Sequence, residues 1–280
     1  MANSTIDLKV ADGIAEATLC RPEKFNSMNR AFWGEIRDLF IELDRRTDVR
    51  VAIIASSGRH FTAGLDLEDF AGLMQGTFAT GSDPGRRGEE LRRRVLAMQE
   101  SFSVIERCRV PVIAAVQGGC IGGGIDMITC CDMRYASADA FFVVKEIDIG
   151  IVADLGTLQR LPKVIAPGIA RELAYTARKI DAKRAREIGL VNEVFADHTA
   201  LLAGARQAAR EIAARSPLAI AGVKEMLNHA RDHSVAEGLN YIATWQAGML
   251  LSADLMEAAS AQRAKREAKF APLEKSVEIG

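Results

Sequence analysis

PVIAAVQGGCIGGGIDMITCCDMRY, residues 111–135, decides how the chain is read. Val112–Val116 is a short apolar, β-prone run behind Pro111. Five glycines follow within seven positions, Gly118 to Gly124, and then an apolar segment, Gly123–Cys131, holds a single acid, Asp126. Val110–Cys131 is long enough to imitate a membrane span. Pro111, Gln117, the glycines and Asp126 argue instead for a buried strand, a glycine turn and a buried helix, with a further strand at Met133–Tyr135. The glycines fit neither nucleotide-binding pattern. Met127 stands where G-x-G-x-x-G needs its last glycine, and Ile125 stands where a Walker loop needs lysine. What remains is a run of small residues opening a helix. The first N–H groups of a helix are unpaired, and without Cβ atoms a ligand can approach them closely. Two such N–H groups from separate segments make an oxyanion hole. Close packing of a strand on a helix is served equally well by the same glycines, and the glycines alone do not separate the two readings.

Outward from this stretch, strands and helices alternate. Ile6–Val10 and Ile14–Leu19 flank Asp12-Gly13 as a hairpin. Asn29–Leu43 carries Phe32, Ile36, Phe40 and Leu43 at helical spacing. Val49–Ala55 reads as a strand, Gly76–Arg87 as a loop, Glu89–Arg107 as a helix and Phe141–Val144 as a strand. Helical patterns then prevail: Ala170–Thr176, Ala182–Ile188, Ala200–Ala214, Pro217–Ala230 and Val235–Ala268. The class is α/β, with a strand-strand-helix unit used more than once and a helical block from about Ala200.

The chain has 280 residues, 49% of them hydrophobic and 26% charged, with a net charge of −1. That length supports one large core, and the charge balance offers no broad basic field for nucleic acid. Arg92-Arg93-Arg94 is too short to alter this, and Lys265, Arg266 and Lys269 read as a solvated helix face. Five cysteines without a Cys-x-x-Cys pair point to reduced thiols. Asp7, Asp12 and Glu16 near the start, and Glu278-Ile279-Gly280 at the end, match neither a secretory, transit nor peroxisomal signal. The expectation is a cytoplasmic, bacterial protein without membrane attachment.

Three acids lie in apolar company at the ends of predicted elements: Asp126, Glu146 in FFVVKEIDIG, and Asp154 in IVADLGTLQRL. Such an acid is either paired structurally or tuned for proton transfer. For one acid alone the structural role is the commoner, and Asp148 shares the neighbourhood. HFTAGLDLEDF, residues 60–70, places Ala63-Gly64-Leu65 before an acidic helix start, as a turn or as a second N–H donor segment. There is no Gly-x-Ser-x-Gly elbow. His229 and His233 stand four apart, but Ala230 is not the glutamate of a zinc protease motif, so no metal site is expected.

Taken together, the chain resembles the crotonase (enoyl-CoA hydratase/isomerase) superfamily, and within it the dienoyl-CoA isomerase branch. The resemblance rests on RPEKFNSMNRAFW (21–33), FTAGLDLEDF (61–70), the opening stretch, DAFFVVKEIDIGIVADLGTLQRLPKVI (139–165), ELAYTARKI (172–180) and RDHSVAEGLNYIATWQAGML (231–250). It implies a crotonase-type spiral of repeated ββα units over residues 1–199, and a C-terminal helical trimerisation region over 200–280. It implies an oxyanion hole from the N–H groups of Leu65 and Gly123 and three catalytic acids, Asp126, Glu146 and Asp154. Hydratases of the superfamily usually carry two glutamates at the first two of these positions. Here the first is the shorter Asp and a third acid is added, which favours moving a proton along a conjugated chain over adding water. The implied reaction converts a 3,5-dienoyl-CoA to the 2,4-isomer, with Asp154 and Glu146 as base and acid. The rival is an enoyl-CoA hydratase with relaxed isomerase activity. The resemblance further implies that substrate lies along Lys24, Phe25, Ala63, Gly64, Leu65, Asp66 and Leu67, and that no cofactor is needed, since CoA is part of the substrate. It also implies acyl-pocket walls from residues 72–87 and the helix after them, and trimers paired into hexamers. Ser27 stands where the superfamily signature has Ala.

Overall fold

The computed structural model of the protein describes residues 5–71 and 83–275. Among them, nine strands form two sheets. The larger has the order β1 (Ile6–Ala11), β2 (Ile14–Leu19), β3 (Val51–Ser56), β4 (Val112–Val116), β6 (Met133–Ser137) and β9 (Glu193–Phe195). Within this sheet only β1 and β2 pair antiparallel. They are joined through Asp12 and Gly13, both at positive φ, as the Asp-Gly pair requires. The smaller sheet has the order β5 (Gly119–Ile121), β7 (Phe141–Val143) and β8 (Ile180–Asp181). Thus β4 and β5, and again β6 and β7, send one strand to each sheet before turning into helical structure. This is the strand-strand-helix repeat expected from the sequence.

The continuous apolar run of β3 follows from burial on both faces. Ala52 and Ile54 enter the main core, with Phe32, Ile36 and Phe40 of α1 (Arg30–Arg45) and Phe102 and Ile105 of α2 (Pro84–Arg107). Val51, Ile53 and Ala55 face the other way, onto Leu201, Ala205 and Ala209 of the helix His198–Ala213. The helical block expected from residue 200 therefore divides by burial. Its first helix covers the large sheet. The helices Pro217–Asp232, Val235–Met249 and Ala253–Ala264 lie outside it. Lys224 fixes them to the body, since its buried ammonium donates to the carbonyls of Ile105 and Val110 and to Asp132.

Several boundaries differ from the sequence reading. The second long helix begins at Pro84, not Glu89, because the Asp83 side chain caps the Arg86 N–H at 2.9 Å and Pro84 suits a first helical position. Residues 76–82 of the expected loop lie outside the described residues. The expected run Val235–Ala268 is two helices, since Ser252 caps the Leu255 N–H and starts the second. A short helix, α4 (Thr157–Val164), was not foreseen, and Pro162 inside it masks its periodicity. The intervening helices are α3 (Gly123–Thr129), α5 (Pro167–Thr176) and α6 (Ala182–Glu187), and α7 to α10 are the four helices from His198 onward. No described helix is long and apolar enough to cross a membrane.

Candidate active site

Segment 62–66 is paired on both sides. Toward β5, the Thr62 N–H donates to the Gly119 carbonyl and the Ile121 N–H donates to Thr62. Toward residues 26–28, the Met28 N–H donates to Gly64, and the Asp66 N–H donates to Met28. This alternation leaves the Leu65 N–H without an acceptor among the described residues. The Gly123 N–H, first in α3, has none there either. The two segments touch: a Cβ on Gly64 would stand 2.6 Å from the Ile121 carbonyl oxygen and 3.4 Å from the Gly123 nitrogen, and Gly64 has φ +83°. Gly64 is therefore obligatory where the two donors converge.

Both donors open onto one cavity of about 490 Å³, and Asp126, Glu146 and Asp154 all line it. Three elements far apart in sequence deliver the acids. Asp126 sits in the first turn of α3, is 1% exposed, and accepts the Thr157 N–H at 2.6 Å. Burial, then the charge of Glu146, pushes its carboxyl up to about 7, against the pull of the Thr157 N–H. Glu146 opens the 3₁₀ turn Glu146–Ile149 after β7, and a Cβ on Gly122 would lie 3.4 Å from its Oε1. Its Oε2 is buried without a hydrogen-bond partner among the described residues, and burial, then Asp154, raises its pKa. Asp154 is exposed on the cavity rim, and partial burial raises its pKa as well. Asp148, the acid with the same sequence neighbourhood, points elsewhere and pairs with Lys145.

The titration of Asp126 has a consequence for stability. The folded state holds its proton to about pH 7, whereas the free side chain releases it near 3.8. The associated stabilisation is complete below about pH 4 and is lost as pH rises through 7, amounting to about 4 kcal/mol. Asp126→Asn carries no such proton. Wild-type stability relative to this variant should therefore fall by about 3 kcal/mol between pH 4.5 and 8, read from paired urea unfolding curves. A pH-independent difference would contradict the assignment.

The glycines now separate. A Cβ on Gly124 would meet Thr62 Cγ2 at 2.6 Å and Cys120 Sγ at 3.0 Å, so Gly124 serves packing. Gly123 lines the cavity, and among the described residues a Cβ there would meet only the flexible end of Met28, at 3.1 Å. Of the residues expected along the substrate, Ala63, Leu65 and Leu67 line the cavity. Lys24, paired with Glu68 at 3.2 Å, and Phe25, 52% exposed against His60, stand outside it. They are joined to it through the Ala63 N–H, which donates to Phe25. The Asp66 carboxylate is committed to Arg21 and to the Ser27 hydroxyl at 3.0 Å, so it shapes the loop. The serine at the signature alanine position thus has a structural use.

Unforeseen were the Thr157 N–H and the walls Trp33 and Phe70. Leu91, Val95 and Met98 of α2 also line the cavity, and their helical spacing was the available signal. His229 and His233 stack at 3.7 Å beside Tyr241. Among the described residues, no group of three or more His, Cys, Asp or Glu side chains is placed to hold a metal ion.

The chain resembles known proteins through nearly its whole length. The family description "Enoyl-CoA hydratase/isomerase" matches residues 9–272. The peroxisomal Delta(3,5)-Delta(2,4)-dienoyl-CoA isomerase of Arabidopsis thaliana is 46% identical over 253 residues, 90% of this chain and 91% of that protein. The mitochondrial Delta(3,5)-Delta(2,4)-dienoyl-CoA isomerase of Homo sapiens is 47% identical over 258 residues, 91% of this chain and 78% of that one. The crystal structure of enoyl-CoA hydratase from Bacillus anthracis aligns with a TM-score of 0.86 at 29% identity, covering 96% of this chain and 99% of that one. With a match through nearly its whole length and relatives at this identity, the chain belongs to the enoyl-CoA hydratase/isomerase family.

Proposed function

We propose that this protein isomerises 3,5-dienoyl-CoA to 2,4-dienoyl-CoA. The observation that carries the reading is the third acid, Asp154, in one cavity with Asp126, Glu146 and two N–H donors that have no acceptor among the described residues. The 46–47% identity to the two isomerases, against 29% to the hydratase, supports it. Asp154 removes a proton from C2, and the electron pair delocalises over C2, C4, C6 and the thioester oxygen. The N–H groups of Leu65 and Gly123 stabilise that oxygen, and this is the largest expected contribution. Glu146 delivers a proton to C6, leaving double bonds at C2 and C4. The assignment of base and acid is the one the family resemblance implies; burial raises the pKa of both carboxyls, and the charge of Asp154 adds to this at Glu146. Asp126 keeps the cavity polar and couples to the other two acids. The reaction needs no cofactor beyond the CoA carried by the substrate. The experiment is incubation with 3,5-dienoyl-CoA thioesters of several lengths, followed by ultraviolet absorbance of the conjugated product. Hydration of crotonyl-CoA at a comparable rate, without conjugation shift in the dienes, would favour the hydratase alternative.

The proposal includes a trimer or a hexamer. Val235, Leu239, Leu251 and Met256 on and between α9 and α10 are all more than half exposed, and α9 has no buried residue. So broad an apolar face calls for a partner. Light scattering at micromolar concentration should give three or six protomers, and a monomer would count against it. A cytoplasmic setting is also part of the proposal. It rests on five free cysteines, four of them buried, which fit a reducing compartment, whereas the two named relatives are peroxisomal and mitochondrial.

A further inference from the structure

Helix α2 presents two adjacent stripes. Leu91, Val95 and Met98 line the cavity. Gln99, Ser103 and Glu106, spaced four and three apart on the next face, grip the segment that carries Asp154 into α4. The Gln99 side-chain amide donates to the main-chain carbonyl of Asp154 at 2.7 Å. Arg160, one turn into α4, donates to the Ser103 hydroxyl at 3.2 Å and to Glu106 at 3.1 Å. Arg231 of α8 binds the same carboxylate, and Asn228 donates to the Glu106 carbonyl at 3.0 Å. Burial pushes the Glu106 carboxyl up, but the two guanidinium groups outweigh it and hold it below its ordinary value, as an ionised anchor. Between the two grips lie Leu155 in the core, Gly156 at φ +130° under the Arg160 guanidinium, and Thr157, whose N–H binds Asp126.

We propose that Gln99 is a positioning residue for this site: it fixes the main chain of Asp154 from the helix that walls the cavity, with the Glu106–Arg160 pair holding the far end of the same segment. One short clasp thereby places two of the three acids, Asp154 directly and Asp126 through Thr157. The role deepens the isomerase reading and rests on it for the chemistry, but the clasp itself is testable without substrate. Gln99→Met keeps length and removes the donor. Gln99→Lys restores an N–H donor of similar reach.

The test measures kcat and KM on a 3,5-dienoyl-CoA at the pH plateau, melting temperature, and amide hydrogen exchange of residues 152–160, for wild type and both variants. The Met variant should lose about 10–100-fold in kcat, the scale of a misplaced reacting group. Its KM should stay within about threefold and its melting temperature near wild type, with faster exchange confined to 152–160. The Lys variant should regain most of the loss. Unchanged kcat and exchange in the Met variant would overturn the proposal. So would a joint loss of kcat, KM and melting temperature that lysine does not rescue, which marks a merely structural residue. Faster exchange in the Met variant of an enzyme whose wild type converts no 3,5-dienoyl-CoA would overturn the isomerase reading and uphold the clasp.

Discussion

Asp154→Asn should lower kcat on a 3,5-dienoyl-CoA by roughly 10²–10⁴-fold, the usual contribution of a positioned general base. KM should change little, because asparagine keeps the size of the side chain and the Gln99 bond reaches the main chain, not the carboxyl. The residue lines the cavity at its rim, and its raised pKa places the acid limb of the pH profile above the ordinary aspartate range. The variant should lose that limb together with its turnover. The N–H groups of Leu65 and Gly123 remain, so a residual rate above solution is expected. Loss of C2 proton exchange with deuterated solvent would locate the defect in the first proton transfer. Turnover at the wild-type rate would remove Asp154 from the mechanism.

Gly123→Val should abolish measurable turnover while the protein still folds. Gly123 and Leu65 both line the cavity, and neither N–H has an acceptor among the described residues; a branched side chain at 123 would obstruct a thioester oxygen there and turn the peptide. Loss of one such donor raises the barrier by about 3–4 kcal/mol, before any steric effect. The packing cost is modest by comparison, since the first atom added meets the flexible thioether of Met28 at 3.1 Å. Gly124→Ala is the matched control. Its Cβ falls 2.6 Å from Thr62 Cγ2, so it should lose about 1–3 kcal/mol of stability and keep its rate once folded. Melting temperature and kcat on the same preparations read both effects. A Gly123→Val protein that melts early yet turns over near the wild-type rate would show that this glycine serves packing and that the oxyanion is held elsewhere.

The two glycines also show how far the sequence reaches. Consecutive and chemically identical, they are one signal in the chain and two roles in the fold. Only the neighbours across the helix, Met28 for one and Thr62 with Cys120 for the other, tell them apart. The sequence by itself determined what is periodic or local. This covers the hairpin at Asp12-Gly13, the apolar stripe of α1, the strand Val112–Val116, and the family resemblance carried by its motifs. It also named the three acids and both donors by that resemblance. It did not foresee α4, whose helical pattern is interrupted by Pro162, nor the break at Ser252, whose cap acts over three residues inside a longer periodic run. The tertiary structure decided which groups face one another. Asp148 and Asp154 have similar sequence surroundings, yet only Asp154 lines the cavity with Asp126 and Glu146. The Leu65 N–H has no acceptor among the described residues because segment 62–66 bonds to two different partners at alternating positions. Asp126 titrates near 7 because burial and Glu146 act on it together, against an N–H from a residue 31 positions away. Burial and charge coupling are properties of surroundings assembled across the chain, and local residue patterns carry no record of them.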